Sequence, residues 1–311
     1  MVVQNILTHF YDDINQNFLN SEIFTFFKSN KKILLFLIKS KMLIIDQYVV
    51  SILKKDQYST FFFPEIQNFL EKDKIEEISK NISDDFEIKR QIGENDSYIC
   101  QLIRNDSIDE FINYVNNASI SLTSEIPSSI YETNSFLYKH DKTTLIEYAA
   151  FFGSIQIFKY LKMNIKTISG PIWSYAIYSN KPEICHLLEE SDISASLKDK
   201  DLNKSIKCFH KDITDYILYK IKFNCPMSKL LKYYNFEYIQ EVYIKETMLV
   251  DFCAFDYTFF VELFLNSQNA NQKIGYGRTL LYFATKNNNF EIVKLLLSIQ
   301  DIDINFIQIL I

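Results

Sequence analysis

Glycine and proline are scarce in this chain, with five of each among 311 residues. A phosphate-binding loop needs several closely spaced glycines. The nearest candidate, Gly275-Tyr276-Gly277, lacks the third glycine and a following Lys-Ser or Lys-Thr pair. The HExxH motif of zinc proteases and the GxSxG motif of serine hydrolases are missing as well. We therefore predict no catalytic residue and no cofactor.

Cysteines are few and scattered. Their number is five, which is odd, and none of them forms a CxxC pair, so a disulfide framework is not expected. Reduced thiols of this kind favour a cytoplasmic location. Cys185-His186 and Cys208-Phe209-His210 carry ligand types that suit zinc. However, Cys185 falls on the apolar face of a predicted helix and Cys208 falls near a predicted turn, so we predict no metal site.

The chain also lacks an excess of positive charge and a long apolar run. Its net charge is −6, which does not favour binding to nucleic acid or to anionic lipid. The most apolar window, residues 33–53, is interrupted by Lys39, Lys41 and Asp46. A membrane span needs about 18 uninterrupted apolar residues, so none is predicted.

The N-terminal part is predicted to be helical. Apolar residues recur at steps of three and four from Leu34 to Ile52, which predicts one helix with a single apolar stripe. Pro64 favours the start of a second helix, because proline is tolerated in the first helical turn. The pair Lys31-Lys32 is expected to lie on a solvated helix face. A turn-like stretch at Gly93 favours a domain boundary near residue 95.

A helix–turn–helix pattern recurs after that boundary. In the clearest copy, Ala149-Ala150 allow two helices to pack closely and Gly153 supplies a positive φ at the turn between them. Asn180 takes the place of Gly153 in the next copy. The last copy, residues 274–305, has its small residue at Ala284. Fainter copies include Cys100, Ser205, Cys225 or Phe252. The pattern predicts five to seven units.

These units resemble ankyrin repeats over roughly residues 97–305. The turn signature of that family survives in part as Thr144-Leu145-Ile146-Glu147 and as Thr279-Leu280-Leu281-Tyr282. The run from Tyr131 to Ala176 is also similar to a divergent ankyrin-like family of unknown function that is expanded in protists. The resemblance implies an all-α fold: an α-solenoid of ankyrin-like repeats (residues 96–311) preceded by an N-terminal helical region (residues 1–95). A single repeat cannot bury its apolar face alone, so neighbouring repeats must stack.

The same resemblance implies a non-catalytic scaffold that binds a protein or peptide on the concave face of the solenoid. Ankyrin proteins bind partners through their fingertip turns and through the positions that follow the small pair of the first helix. By register, these positions are Phe151, Phe152, Tyr178, Ser179, Lys207, Phe255, Tyr276, Arg278, Lys286 and Asn287. Aromatic residues and arginine are typical of binding hot spots. The alternative is that the aromatic residues pack against a neighbouring repeat or against the N-terminal helices.

Two other functions remain open. The protein is an adaptor if its N-terminal helices recruit a second component or dimerise, and it is an enzyme if those helices hold an unrecognised site. The C-terminal sequence, residues 306–311, is apolar, whereas a solenoid normally ends in a unit with a polar outer face. We therefore expect either a truncated reading frame or self-association through this uncapped end.

Overall fold

The computed structural model describes residues 2–138, 142–168, 171–189, 197–221, 227–241, 248–266, 268–274 and 277–304. These residues form helices, turns and two isolated β-bridges, and they contain no β-strand. The predicted all-α fold class is confirmed. None of the described helices has the length and apolar character that crossing a membrane requires. Residues 305–311 lie outside the described part, so self-association through the C-terminal end stays a prediction.

The chain forms two compact units, Met1–Ile168 and Ser169–Ile311. The boundary predicted near residue 95 falls inside the first unit and stays a prediction. The helices of the first unit are α1 (Val2–His9), α2 (Tyr11–Asn17), α3 (Asn20–Phe27), α4 (Lys31–Lys39), α5 (Gln47–Leu53), α6 (Asp56–Phe61), α7 (Phe63–Ile66), α8 (Lys72–Asn81), α9 (Phe86–Ile92), α10 (Tyr98–Arg104), α11 (Ile108–Asn117), α12 (Ser135–Tyr138), α13 (Leu145–Phe152) and α14 (Ile155–Asn164). A 3-10 turn at Gln67–Phe69 follows α7.

Two helices occupy the segment that the apolar pattern predicts as one. Helix α4 ends where Lys41 adopts a φ of 62° and the amide of Met42 donates to the carbonyl of Leu37 at 2.9 Å. Helix α5 then begins with Asp46, whose carboxylate accepts a hydrogen bond from the amide of Val49 at 2.8 Å. The prediction of one helix from Leu34 to Ile52 is therefore wrong. The apolar period survives because both helices bury their stripes in one core.

Lys31 is buried, so its predicted place on a solvated face is also wrong. The side chain has 0% exposure, and its ammonium donates to the carbonyls of Ile130 and Glu132 at 3.2 Å each. The ring of Phe61 lies 5.4 Å from the same nitrogen. Burial lowers the pKa of Lys31 to about 8. A later segment of the chain covers Lys31, and no pattern around Lys31 itself indicates that contact.

This pKa gives the first testable prediction. An unfolded lysine titrates near pH 10.4, so between about pH 8 and pH 10 the unfolded chain binds more protons at Lys31 than the folded chain does. Stability contributed by this residue must then rise with pH in that window. Urea unfolding followed by circular dichroism should show the wild type gaining stability relative to Lys31→Met as the pH increases from about 7.5 to about 10. A difference that does not change with pH would contradict the assignment.

Arg90 joins α9 to the segment around α6 and α7. Its side chain is 1% exposed, and its guanidinium donates to both carboxylate oxygens of Glu65 at 2.5 and 2.8 Å. It also donates to the carbonyl of Phe61 at 2.9 Å and to Glu87 at 2.6 Å. A planar guanidinium matches a carboxylate with two parallel hydrogen bonds, which makes this pair directional as well as strong. Helix α7 starts at Phe63 with Pro64 in its first turn, close to the predicted start.

The second unit begins with α15 (Ile172–Tyr178) and α16 (Pro182–Glu189). It continues with α17 (Asp199–Cys208), α18 (Lys211–Ile221), α19 (Met227–Lys232), a 3-10 helix (Phe236–Glu241), α20 (Leu249–Ala254), α21 (Thr258–Phe264), α22 (Leu280–Lys286) and α23 (Phe290–Leu297). From α10 onward the described helices thus form seven consecutive pairs, apart from the short α12. In each pair a first helix is followed by a tight turn and a second helix.

Every pair has one residue of positive φ at its turn, which we call the turn residue. The turn residues are Asp106, Gly153, Asn180, Phe209, Tyr234, Asp256 and Asn288. Gly153 and Asn180 confirm the predicted left-handed turns. At six of the seven turns, the amide that follows the turn residue donates to the carbonyl five residues earlier, as His210 does to Ser205 at 3.3 Å. This bond closes a helix end that would otherwise leave carbonyls without partners.

Side chains also connect successive pairs in a regular way. In the first unit, the hydroxyl of Ser154, the residue after a turn residue, donates to the carbonyl of Ile103, three residues before the preceding turn residue. The second unit repeats this relation four times, and we call the set the turn ladder. Its hydrogen bonds are His210 Nδ1 with Ile177 O at 2.8 Å, Asn235 Nδ2 to Ile206 O at 2.9 Å, Tyr257 Oη to Leu231 O at 2.8 Å and Asn289 Nδ2 to Cys253 O at 2.6 Å. Because each bond joins equivalent positions, it holds neighbouring pairs in one register.

Candidate protein-binding surface

The first helices of the second unit lie side by side. Helix α17 packs against α15 and α19, and α20 packs against α19 and α22. The turn ladder keeps these helices level, so the two residues that precede each turn residue line up from helix to helix. We call this row the first-helix face. Its members are Tyr178, Ser179, Lys207, Cys208, Lys232, Tyr233, Ala254, Phe255, Lys286 and Asn287.

Six of the sequence-predicted residues lie on this face. Lys207, Lys286 and Asn287 are exposed, whereas Tyr178, Ser179 and Phe255 are half-buried. The structure thus places them at equivalent levels of successive helices, as their register predicts. Their role in binding stays a prediction.

Two of these side chains are fixed by local contacts. The ammonium of Lys204, one helical turn before Lys207, lies 5.9 Å from the ring centre of Tyr178. Burial raises the pKa of the Tyr178 phenol, so the ring is neutral at physiological pH. The hydroxyl of Ser179 donates to the carbonyl of Ala176 at 2.7 Å and accepts from the amide of Lys181 at 3.1 Å. The Tyr178 ring is therefore held by its contact with Lys204, while the Ser179 hydroxyl is used in hydrogen bonds within its own turn.

The last predicted fingertip is a short hairpin. Ile274 and Arg278 exchange two backbone hydrogen bonds of 2.7 and 2.9 Å, and Gly277 has a φ of 73°. The guanidinium of Arg278 lies 5.2 Å from the ring centre of Tyr282, and the ammonium of Lys286 lies 5.7 Å from the same centre. Two cations thus flank one aromatic ring. Tyr276 lies outside the described residues.

Phe151 and Phe152 belong to a separate aromatic cluster in the first unit. Phe151 stacks on Phe136 at 5.9 Å and contacts Phe152 at 5.1 Å. Phe152 also lies 4.7 Å from the ring of Tyr148, and the guanidinium of Arg104 lies 5.9 Å from it. Both residues are half-buried. Part of each ring therefore packs within the first unit, and part stays accessible.

Helix α19 contributes to the first-helix face as well, which the sequence pattern does not predict. Lys232 and Tyr233 occupy the same two positions there, and the Lys232 ammonium lies 5.6 Å from the centre of the Tyr233 ring. The turn residue of this pair is Tyr234, which is neither glycine nor asparagine, so the sequence gives no ordinary turn signal at this point. The sequence signal that could have indicated this turn is Asn235. It follows the turn residue Tyr234 as Asn289 follows the turn residue of the last helix pair.

The described residues offer little for catalysis or metal binding. They contain no group of three or more His, Cys, Asp or Glu side chains able to hold a metal ion. A small cleft of the second unit is lined by Cys185, His186, Asp212 and Tyr216. Burial raises the pKa of the Cys185 thiol to about 12, so this thiol is protonated at neutral pH and is a poor nucleophile. Cys185 is 2% exposed on the inner side of α16, where a small apolar residue packs well.

Comparison with known families agrees with this architecture. Residues 220–307 match the family model for ankyrin repeats in three copies. This part of the chain consists of ankyrin repeats. The matched range contains the three helix pairs that start at α19, α20 and α22. A comparison of the chain with curated proteins found no match. Ankyrin repeats are generally protein–protein interaction modules and are typically not catalytic.

Proposed function

We propose that this ankyrin-repeat protein is a non-catalytic scaffold that binds a protein or peptide on its first-helix face, the face that is concave in ankyrin solenoids. One observation carries the proposal: the turn ladder aligns exposed and half-buried side chains at equivalent levels of successive first helices. A continuous row of this kind suits an extended partner better than a small substrate. The free thiols of Cys100, Cys185, Cys208 and Cys253 favour action in the cytoplasm.

The aromatic members of the face support this function energetically. Tyr178 and Phe255 are half-buried in the absence of a partner, so little rotational freedom remains to be lost on binding. Each aromatic side chain that becomes fully desolvated in an interface contributes about 2 kcal/mol or more when it acts as a hot spot. The Lys204 ammonium near the Tyr178 ring adds orientation, because ammonium groups are attracted to ring faces.

A second function is favoured by the surface of the N-terminal helices. Several large apolar side chains of this region are strongly exposed, including Ile6 at 52%, Leu19 at 68% and Phe26 at 70%. Exposed apolar groups that form a contiguous patch are typical of interaction sites. An adaptor that recruits a second component, or that dimerises, through these helices is therefore the alternative proposal.

Matched aromatic substitutions test the leading proposal. The full chain would be used to capture proteins from the native cell, with mass spectrometry to identify them. Tyr178→Ser and Phe255→Ser remove rings from the first-helix face. Phe259→Ser and Phe290→Ser remove rings that are 69% and 66% exposed on second helices of the same unit. We expect the first two variants to lose the proteins that the wild type and the two controls retain, with unchanged circular dichroism.

Two outcomes would contradict this proposal. Equal recovery by all four variants would show that the first-helix face does not bind these proteins. Loss of recovery in the second-helix variants alone would place binding on the opposite side of the helix pairs. Loss after removal of exposed rings in α1–α3, such as Phe26→Ser, would favour the adaptor instead.

A further inference from the structure

Lysines of the second unit fall into two groups. Those on second helices are paired with carboxylates: Lys211 with Glu237 at 3.6 Å, Lys294 with Glu291 at 3.0 Å, and Lys220 with Glu189. Those on first helices differ. Lys207, Lys229, Lys232 and Lys286 make no ion pair within the part of the chain that the structure describes.

The unpaired lysines share one position in the repeat. Lys207, Lys232 and Lys286 each stand two residues before a turn residue, and all three are exposed. Lys229 stands one helical turn before Lys232, as Lys204 does before Lys207. Because the turn ladder keeps the first helices level, these ammonium groups form a row across α17, α19 and α22 rather than a scatter. In α20, which lies between α19 and α22, the small Ala254 takes the corresponding place.

This row is cationic on a protein whose net charge is −6. Among the described residues, the carboxylates nearest to the row in register are those of Asp256, the exposed turn residue after α20, and Asp251 of α20, at the level of Lys204 and Lys229. Asp251 is half-buried, and burial raises its pKa. Burial lowers the pKa of Lys204; the Asp201 carboxylate opposes this effect, while the Lys200 and Lys207 charges add to it. Negative charge from a partner at this face would therefore reduce the repulsion between the lysines.

Aromatic rings accompany the cations along the row. Tyr178, Tyr233 and Phe255 alternate with the lysines on the same face and are half-buried. Carboxylates of a partner would pair with the ammonium groups, and apolar side chains between those carboxylates would contact the rings. A polypeptide can carry both at the required intervals. The row combines the electrostatic and apolar features of a site for an acidic peptide.

We propose that the first-helix face of the second unit binds an acidic segment of a protein partner, with carboxylates of that segment paired to Lys207, Lys232 and Lys286. This inference rests on the proposed function and names the class of partner. Neighbouring helices lie about 8–10 Å apart, so the row from α17 to α22 is roughly 25–30 Å long. An extended segment of about nine residues covers that length. A nucleic acid much longer than the row is disfavoured, because the negative net charge of the chain repels the phosphates that extend beyond the row.

The test uses the full chain and synthetic probes. A fluorescein-labelled oligoglutamate of about 12 residues is long enough to cover the row, and an oligoglutamine of equal length is its neutral control. A single-stranded oligothymidylate serves as the nucleic-acid probe. Fluorescence anisotropy measures each affinity at about 50 mM and about 200 mM salt, because screening weakens exposed ion pairs. The test variant is K207E/K232E/K286E, and K211E/K220E/K294E is a control with the same net charge on second helices.

We expect oligoglutamate to bind at least about tenfold more tightly than oligoglutamine, and more weakly as salt increases. The first-helix variant should lose about tenfold or more in affinity, since each exposed pair contributes up to roughly 1 kcal/mol. The second-helix variant should change by less than about threefold. Equal losses in both variants, or equal binding of the two peptides, would overturn the proposal. Tighter binding of oligothymidylate than of oligoglutamate would also overturn it, because the cationic row would then select nucleic acid.

These failures are distinguishable from failure of the proposed function. If the acidic probe does not bind but Tyr178→Ser and Phe255→Ser still lose the captured proteins, the face binds a partner of different chemistry. If the aromatic variants capture proteins as the wild type does, the face itself is not the binding surface.

Discussion

Arg90→Met is expected to lower the free energy of unfolding by about 3–5 kcal/mol, the range found when one member of a buried ion pair is removed. The substitution leaves the Glu65 carboxylate, which is 12% exposed, without the two hydrogen bonds that compensate for its burial. It also leaves the carbonyl of Phe61 without its donor. Urea unfolding followed by circular dichroism measures the effect.

Lys39→Met is the matched control for Arg90→Met. Lys39 also pairs with Glu87, at 3.1 Å, but both side chains are largely exposed, at 43% and 49%. Exposed pairs contribute about 0–1 kcal/mol, so this variant should unfold nearly as the wild type does. If the two variants unfolded at the same urea concentration, the Arg90 contacts would not be the main connection between α9 and the α6–α7 segment.

Asn289→Ala should destabilise the second unit by about 1–3 kcal/mol, the cost of a buried polar group that loses its partner. The Asn289 amide is 8% exposed and donates to the carbonyl of Cys253 at 2.6 Å, which connects the last helix pair to the preceding one. The chain has a single tryptophan, Trp173, and it is buried in the second unit. Its fluorescence during urea unfolding therefore reports on this unit.

Asn287→Ala is the control for this second prediction. Asn287 is exposed, and its amide donates to the carbonyl of Phe283 within the same helix end, at 2.8 Å. The control makes the same chemical change two residues away but breaks no bond between helix pairs. It should cost less than about 0.5 kcal/mol, as surface substitutions usually do. Equal effects of the two variants would show that the turn ladder does not stabilise the stack.

Periodic features of the sequence predict the repeat architecture correctly. Gly153 and Asn180 are residues that tolerate positive φ, so the turns after α13 and α15 are recognisable from the residue types alone. Within the surviving turn signature, Thr144 caps α13 and Glu147 completes a capping box. In these places local chemistry and overall fold require the same residue.

Other features could not be predicted because their causes are not local. Tyr234 and Phe209 adopt positive φ although bulky residues rarely do, since hydrogen bonds of the neighbouring helix pairs fix these turns. The burial of Lys31 depends on a contact with residues 130 and 132, about a hundred positions later in the chain. Period and propensity describe neighbours in sequence, and these contacts join residues that are distant in it.

The alignment of residues on the first-helix face could be predicted from the sequence only in part. Register predicts that Lys207 and Lys286 occupy equivalent positions, whereas the equivalent place of Lys232 follows from the fold and not from the sequence pattern. Pairing of charges was not predictable either. Lys211 forms an ion pair with Glu237 of the following helix pair, and the sequence alone does not show that these two residues are in contact.

Carbodiimide coupling of oligoglutamate to the full chain, followed by mass spectrometry of the digested product, tests the binding surface most directly. This reagent joins carboxylates to lysine amines that are in contact, so each coupled lysine marks a contact with the probe. We predict coupling at Lys207, Lys232 and Lys286, while Lys211 and Lys294 couple within the chain to Glu237 and Glu291. Coupling of the probe chiefly to Lys211, Lys220 and Lys294, or equally to all lysines, would contradict the account.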